Sequence, residues 1–410
     1  MKVRDLTAQR MDNRARVAAT VEWEDCERGE ETVYFETPLE FAGALTCNPH
    51  AFLVASIVPA LHFGERRIAM DEEICPQLKS GLVDAMAVLR HWYYEPERDF
   101  VQLDVKTAAV RAQRDATRAG FFFSGGVDSF ATLRSNHLAY PHTHPRRISD
   151  GVLVFGLELD QVPAFDHVVD SLAPVAQSAG VDFIPVYSNL YLNFREQDAA
   201  DDFRFWIYEF QGSALAAVAH VLANRLSTIS IAATFDTPFL GKWGSHPLLD
   251  PNYSSADVQV HHDGLALSRL DKTRAIADYD LALRNLRVCN KYQDYSAGKL
   301  NCGECEKCVR TMLALLTLGV LHKTPAFEAD DVSSDLVRRR AKVSNDYVES
   351  CYLQMLQPLA AAGRNDLVAA VKSRIAAYRN KGGHRWKARV KDFDRKYLNS
   401  SLTRMRTGSG

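Results

Sequence analysis

The 410-residue sequence predicts an α/β fold: a parallel sheet with helices on both faces, joined to a small N-terminal α+β domain. Three observations carry that expectation. From about Gly120, short apolar runs alternate with stretches at helical spacing, the pattern of strands covered on both faces by helices. One run, Phe121-Phe122-Phe123, leads into Ser124-Gly125-Gly126-Val127-Asp128-Ser129, where glycines turn a strand sharply into a helix. The first ~110 residues read differently, as a period-two hairpin and two helices.

Taken in order, Arg16 to Glu36 alternates as a hairpin: Val17 to Trp23, a Glu/Asp/Arg/Gly turn, then Thr32 to Phe35. Ala51 to Leu61 and Leu78 to Tyr94 read as helices, the second with Leu82, Ala85, Met86, Leu89 and Trp92 roughly at helical spacing. Ala119 to Phe123 is the first strand of the parallel set, followed by the glycine turn and a helix through Leu138. Gly151 to Leu157 is the second strand. Phe165, Val168, Val169, Leu172, Val175, Ala176 and Ala179 then share one helix face, and Gly180 suits its C′ position. Val181 to Tyr187 is the third strand. Asn189 to Arg204, with Asp198, Asp201 and Asp202, is polar and reads as a cover segment. A long helix over about Phe205 to Arg225 precedes a fourth strand at Thr228 to Ala233. From Ala326 onward the chain reads as helical, with a hydrophobic segment at Tyr347 to Ala361. The expected divisions are 1–112, 113–325 and 326–410.

A hydrophobic content of 47% and a charged content of 24% are ordinary for a soluble globular chain. The net charge of −2 argues against a surface generally coated by nucleic acid. That average hides an asymmetry: the segment from Lys372 carries +10 and the rest −12. Arg385-Trp386-Lys387 and Tyr397 in this tail suit nucleic acid by charge and stacking; a basic helix packed on the acidic body explains them equally well. Met1 to Arg16 is polar, so no signal peptide is expected. Phe52 to Phe63 is interrupted by Pro59 and is too short to span a bilayer. A cytoplasmic location without a membrane partner is the expectation, and the eight cysteines are then mostly reduced. Cys26, Cys47, Cys75 and Cys351 stand alone and read as buried small hydrophobes.

The turn at Ser124–Ser129 is suited to an anion. Successive backbone amides and a helix N-terminus converge there, and the Ser124 and Ser129 hydroxyls add donors. No lysine follows in the Walker pattern G-x-x-x-x-G-K-[ST], so a bound diphosphate fits better than γ-phosphoryl transfer. The second strong signal is Cys302-Gly303-Glu304-Cys305-Glu306-Lys307-Cys308, with Cys289 upstream. Spacings of two converge thiolates on one ion, and four thiolates make a closed, structural zinc site with no catalytic position. Iron–sulfur is the rival reading, but the ferredoxin run requires cysteine where Met312 stands. A redox C-x-x-C is a further alternative. The stripe Val309, Met312, Leu313, Leu316 then anchors a helix. His142-x-His144 lies in a loop and is read as ordinary surface.

Ser-Gly-Gly-x-Asp-Ser after a strand resembles the PP-loop of the N-type ATP pyrophosphatases, the adenine nucleotide alpha hydrolase-like fold. Together with Cys289 and the Cys-Gly-x-Cys-x-x-Cys run, it is similar to the 7-cyano-7-deazaguanine synthase family over roughly residues 117–320. The resemblance implies that ATP is split between its α and β phosphates, with Mg²⁺ present, and that AMP passes to a substrate carboxylate. It implies nucleotide contacts from Ser124 to Ser129 and from the second-strand backbone near Phe155 and Leu157. Ser268 to Ile276 looks like the family's helix before the first cysteine, so Arg269 and Lys272 are expected to reach phosphates; a solvated helix face is the plain alternative. Asp128 is expected to position Mg²⁺ or fix the loop, and a plain first-turn helix role is compatible with both. Cys289, Cys302, Cys305 and Cys308 are the implied Zn²⁺ ligands.

This chain also departs from the family. It is longer at both ends, and Gly156-Leu157-Glu158-Leu159-Asp160 stands where Asp-Tyr-Gly-Gln is usual. Glu209-Phe210-Gln211-Gly212-Ser213 stands where an Arg-Asn pair is usual. The ATP end of the chemistry therefore carries over better than the acceptor. Phe235 to Asp250, after the fourth strand, is dense in reactive side chains. Asp236 is the candidate beside the substrate, Lys242 for phosphate or carboxylate, Trp243 for stacking on a base and His246 for proton transfer; each also suits a surface loop. His261-His262 reads as structural.

The expected activity is ATP-dependent activation of a carboxylate, best guessed as that of a deazaguanine-like heterocycle, followed by amide or nitrile formation with ammonia or transfer to a protein or nucleic-acid acceptor. Long relatives of the family occur in antiphage operons, one place such a chain belongs. A homodimer is compatible with this reading. The competing functions are a non-catalytic ATP-sensing or docking subunit, and sulfur transfer to a tRNA base; no cysteine lies between Cys75 and Cys289, which weighs against sulfur chemistry.

Overall fold

The computed structural model describes residues 1–108, 117–195, 203–289 and 299–380. The chain forms two compact units, Met1–Asn301 and Cys302–Gly410. The cover-segment aspartates and the tail residues Arg385, Trp386, Lys387 and Tyr397 lie outside the described residues.

The first unit is α/β. Its strands are β1 Lys2–Arg10, β2 Arg14–Glu22, β3 Glu31–Pro38, β4 Arg67–Ile74, β5 Gln102–Thr107, β6 Arg118–Phe122, β7 Ile148–Phe155, β8 Asp182–Ser188, β9 Leu226–Ala232 and β10 Gln259–Asp263. They form one mostly parallel ten-stranded sheet in the order β10-β9-β6-β7-β8-β3-β2-β1-β4-β5. From β10 to β8 every neighbour is parallel. β3 joins β8 antiparallel, so the predicted N-terminal hairpin, β2 with β3, extends the same sheet. β1 pairs antiparallel with β2, and β4 and β5 return to parallel pairing.

The helices of this unit are α1 Pro49–Phe63, α2 Pro76–Tyr93, α3 Val127–Ala139, α4 Val162–Ser178, α5 Leu190–Phe194, α6 Phe203–Phe205, α7 Gln211–Val221, α8 Arg269–Ile276 and α9 Asp280–Asn285. The expected cover segment therefore begins as a short helix, with Leu190, Tyr191 and Phe194 buried. The expected long helix is interrupted between α6 and α7 by a π turn at Trp206–Phe210. Both faces of the central sheet are covered, and Phe35, Phe121, Phe123, Phe165 and Trp206 sit in the core.

Two expectations need correction. β7 ends at Phe155, because Gly156 takes φ +86° and turns the chain; a side chain there meets the Ser188 carbonyl. Leu157 is therefore in a turn. Cys75 and Cys351 are buried as expected, but Cys26 and Cys47 are only half-buried, and the Cys47 thiol donates to the Thr7 carbonyl at 3.3 Å.

The second unit is helical where described: α10 Glu306–Thr317, α11 Ser334–Arg340, α12 Asp346–Ala361 and a further helix over 365–380. α10 buries Val309, Met312 and Leu313, and Asn345 caps α12 by accepting from the Val348 amide.

Candidate functional site

The turn between β6 and α3 lies beyond the carboxyl ends of the parallel strands, where open α/β sheets bind ligands. Gly125 takes φ +75°, a conformation L-residues rarely adopt, and α3 begins at Val127. Gly126 is the N-cap residue and no side chain caps this end. The first-turn amides have no intrahelical acceptor, so they and the helix dipole present positive potential. The Ser124 and Ser129 hydroxyls lie 3.4 Å apart, and Ser129 Oγ donates to the Gly126 carbonyl at 3.0 Å. On the other side of the turn, the Arg287 amide donates to the Gly125 carbonyl at 2.7 Å, and Arg287 Nη1 donates to the Ser124 carbonyl at 3.2 Å.

Asp128, in the first turn of α3, meets two cations from α8. Arg269 Nη2 is 3.0 Å from Oδ2 and Lys272 Nζ is 3.5 Å from Oδ1. Ser268 caps α8 by accepting from the Asp271 amide, which fixes the helix start and hence both cations. Lys272 is buried and donates to the Ala233 carbonyl, just past β9, at 2.5 Å. Burial pushes its pKa down, and the Asp128 charge opposes that shift. Asp263, at the end of β10, accepts from Thr132 of α3 at 2.7 Å. Two strand ends, α3 and α8 are thus joined by polar bonds, of which that from Lys272 to Ala233 is buried.

The segment after β9 gathers a different set. Asp236 precedes the 3₁₀ turn Thr237–Phe239 and makes no capping bond with it. Lys242 Nζ donates to the Trp92 carbonyl at 2.7 Å, which places a cation at the C-terminus of α2. Trp243 Nε1 donates to Gln211 at 3.2 Å, and its ring meets Phe235 and Tyr208 edge-on at 5.1 and 5.4 Å. His246 Nδ1 accepts from the Leu248 amide, and burial followed by His262 lowers the pKa of its ring. Phe155 packs edge-on against Phe165 at the end of β7, and Leu157 is buried in the turn beyond. The structure therefore brings Arg269 and Lys272 onto Asp128 of the Ser124–Ser129 turn, whereas Lys242, Trp243 and His246 contact α2 and the π turn.

Three features escaped sequence reasoning. Arg287 reaches the loop from a segment that carries no motif. Glu209, in the π turn, is buried and accepts from the Tyr94 hydroxyl and pairs with His62 at 3.2 Å. Fully buried Asp250 accepts from Ser245 and His262, each at 2.7 Å. The only advance signal for the last two was the density of titratable and aromatic residues in their segments.

The cysteine prediction converges on one point. Sulfur atoms of Cys289, Cys302, Cys305 and Cys308 lie within 4.8 Å of one another, a group able to hold a metal ion. Thiolates arranged tetrahedrally about zinc at about 2.3 Å stand about 3.8 Å apart. Cys302 and Cys308 sulfurs are 3.9 Å apart, and Cys305 and Cys308 sulfurs 3.4 Å, so the set fits zinc with little adjustment. The Cys305 amide donates to Cys302 Sγ, 3.2 Å away, which holds that sulfur in the cluster.

Comparison with protein-family models, with curated proteins and with solved structures found no match. Among the described residues, no helix is long and apolar enough to cross a membrane.

Proposed function

We propose that the chain is an ATP-using enzyme of the PP-loop pyrophosphatase type, similar to 7-cyano-7-deazaguanine synthase, that activates a carboxylate. A carboxylate oxygen attacks the α-phosphorus, the bond to the β-phosphate breaks and diphosphate leaves. Ammonia or another nucleophile then attacks the acyl carbon, and AMP departs. The observation that carries this reading is the uncapped α3 N-terminus behind Gly125, with two serine hydroxyls at its mouth and Arg269 and Lys272 tied to its first turn.

Such a loop stabilises the charge of departing diphosphate by preorganised donors, not by a moving base. Asp128 is engaged by two cations, which makes it the brace between α3 and α8. Asp236 is the carboxylate left to hold Mg²⁺ with phosphate oxygens, since its side chain makes no capping bond and its charge is felt at Lys272. Magnesium there supplies charge neutralisation on the phosphates. The four cysteines fill every position of a tetrahedral ion, so zinc is assigned a structural part. Tyr93, Tyr208, Phe235 and Trp243 supply flat faces that support a planar, deazaguanine-like acceptor.

The test is mass spectrometry of AMP, diphosphate and product after incubation with ATP, Mg²⁺, ammonium and 7-carboxy-7-deazaguanine or other carboxylates. AMP formation that Ser124→Ala abolishes supports the reading. ATP binding without AMP from any carboxylate would instead make the chain a nucleotide-sensing subunit.

A further inference from the structure

The segment Leu286–Cys289 joins the cysteine group to the anion turn, and one side chain clamps it. Asn301, buried immediately before Cys302, accepts from the Val288 and Cys289 amides at 2.9 and 3.3 Å through Oδ1. Its Nδ2 donates to the Leu286 carbonyl at 2.7 Å. These three bonds fix the backbone on both sides of residue 287. Arg287 is thereby held with its amide on the Gly125 carbonyl at 2.7 Å and its Nη1 on the Ser124 carbonyl at 3.2 Å. Packing is close as well: a side-chain carbon on Gly125 comes 3.4 Å from Arg287 Cβ, and one on Gly126 comes 3.6 Å from the Arg287 carbonyl.

The guanidinium has donors to spare. Its Nε is buried and has no hydrogen-bond partner among the described residues. A buried, unsatisfied donor is costly and calls for a partner. The donor stands beside a turn that already presents amides and hydroxyls, so an anionic oxygen is the partner that matches its charge. Arg269 and Lys272 neutralise Asp128, whereas no carboxylate among the described residues pairs with Arg287 in the structure.

We propose that Arg287 is a diphosphate-binding residue of this turn, aimed by Asn301 and by the cysteine-anchored segment that carries it. The proposal rests on the reading of Ser124–Ser129 as a diphosphate turn. It gives the cysteine group a second consequence: the segment that supplies Cys289 also sets a phosphate ligand two residues earlier.

The experiment is calorimetric titration of the zinc-loaded, full-length protein with ATP and with inorganic diphosphate at several salt concentrations. Arg287→Gln keeps length and polarity but removes the charge. It is expected to weaken diphosphate binding by about 10-fold or more and to flatten its salt dependence, because a screened charge–charge contact is lost. Arg287→Lys keeps the charge without the fork and is expected to fall between the two. Asn301→Ala loosens the aim without removing charge, so affinity drops while the salt dependence stays near that of the wild type. Thermal melts of each variant identify simple unfolding, and Arg287→Lys serves if Arg287→Gln does not fold. Wild-type affinity in Arg287→Gln, or a loss with unchanged salt dependence, overturns the assignment. If the wild type binds neither ATP nor diphosphate, the reading of the turn itself fails, and that outcome is distinct.

Discussion

Replacing Lys272 by methionine deletes one buried ammonium from the end of β9 and leaves an apolar stem to pack. The ammonium donates to the Ala233 carbonyl at 2.5 Å and lies 3.5 Å from Asp128. Stranding the carbonyl costs about 1–3 kcal/mol. The lost ion pair is worth about 5 kcal/mol in gross Coulomb energy at an effective dielectric of about 20. Most of that is returned, because the buried ammonium no longer has to be desolvated, the larger of the opposing influences on its pKa. Asp128 is not left alone either, since Arg269 stays at 3.0 Å. The net loss should be about 2 kcal/mol, or about 3 °C in Tm for a unit of this size. Asp128→Asn alone leaves two like charges facing each other and should cost about as much. Differential scanning calorimetry of the single and double variants closes the cycle. The double variant should fall short of the summed losses by about 1 kcal/mol or more, as expected for residues in contact. Additivity within about 0.3 kcal/mol would mean that Lys272 and Asp128 are not a brace, and the account of the α3–α8 junction would be wrong.

Two further outcomes follow from the same geometry. Elemental analysis should find one zinc per chain, and chelation should lower Tm by more than about 5 °C, since metal-ligand energy is folding energy; an unchanged Tm in metal-free protein contradicts a structural ion. Acid should destabilise the fold through His137, His246 and His261, whose pKa values are all pushed down chiefly by burial. Their folded values lie below the unfolded value near 6.5, so the unfolded chain binds more protons in that window. This stability is present above about pH 6.5 and lost as pH falls below it, so the urea midpoint should be lower at pH 5.5 than at 7.5, and the reverse order would refute the assignment.

The centre of the parallel half was legible because β6 and β7 are largely apolar runs followed by helical patterns, whereas β10, Gln259–Asp263, is mostly polar and carries no such mark. Phe121, Val152 and Ile184 lie inside a sheet covered on both faces and carry no competing pattern. β1 was not legible: most of Lys2–Arg10 is exposed, so neither alternation nor hydrophobicity marks it. β5 fails for the same reason, whereas β4 buries Ile68, Met70 and Ile74 and is masked in sequence by its acidic run Asp71-Glu72-Glu73. The glycine turn and the cysteine spacing were legible because each is local. Arg287 was not, because it meets Ser124 across more than 160 residues and its placement depends on Asn301. Glu209 was hidden by the π turn, which shifts the register of a segment that reads as uninterrupted helix.

The reversal of strand direction at β8–β3 explains how the N-terminal region reaches the same end of the sheet as the glycine turn. Through the antiparallel pairs β8–β3, β3–β2 and β2–β1, and the parallel pair β1–β4, β4 runs opposite to β6. Its carboxyl end therefore points away from the turn at Ser124. α2 follows β4 after a one-residue link and is 18 residues long, about 27 Å of helix. Returning across the sheet, it delivers Trp92, Tyr93 and Tyr94 to the edge where β9 ends. There Lys242 donates to the Trp92 carbonyl, the Trp92 ring meets His246 and the Tyr94 hydroxyl donates to Glu209. A parallel extension of the sheet would have left the end of α2 at the opposite edge. The N-terminal strands thus do more than widen the sheet: their antiparallel attachment puts Trp92 and Tyr93 against the segment after β9 that the proposed chemistry needs to hold its acceptor, and Tyr94 against the π turn.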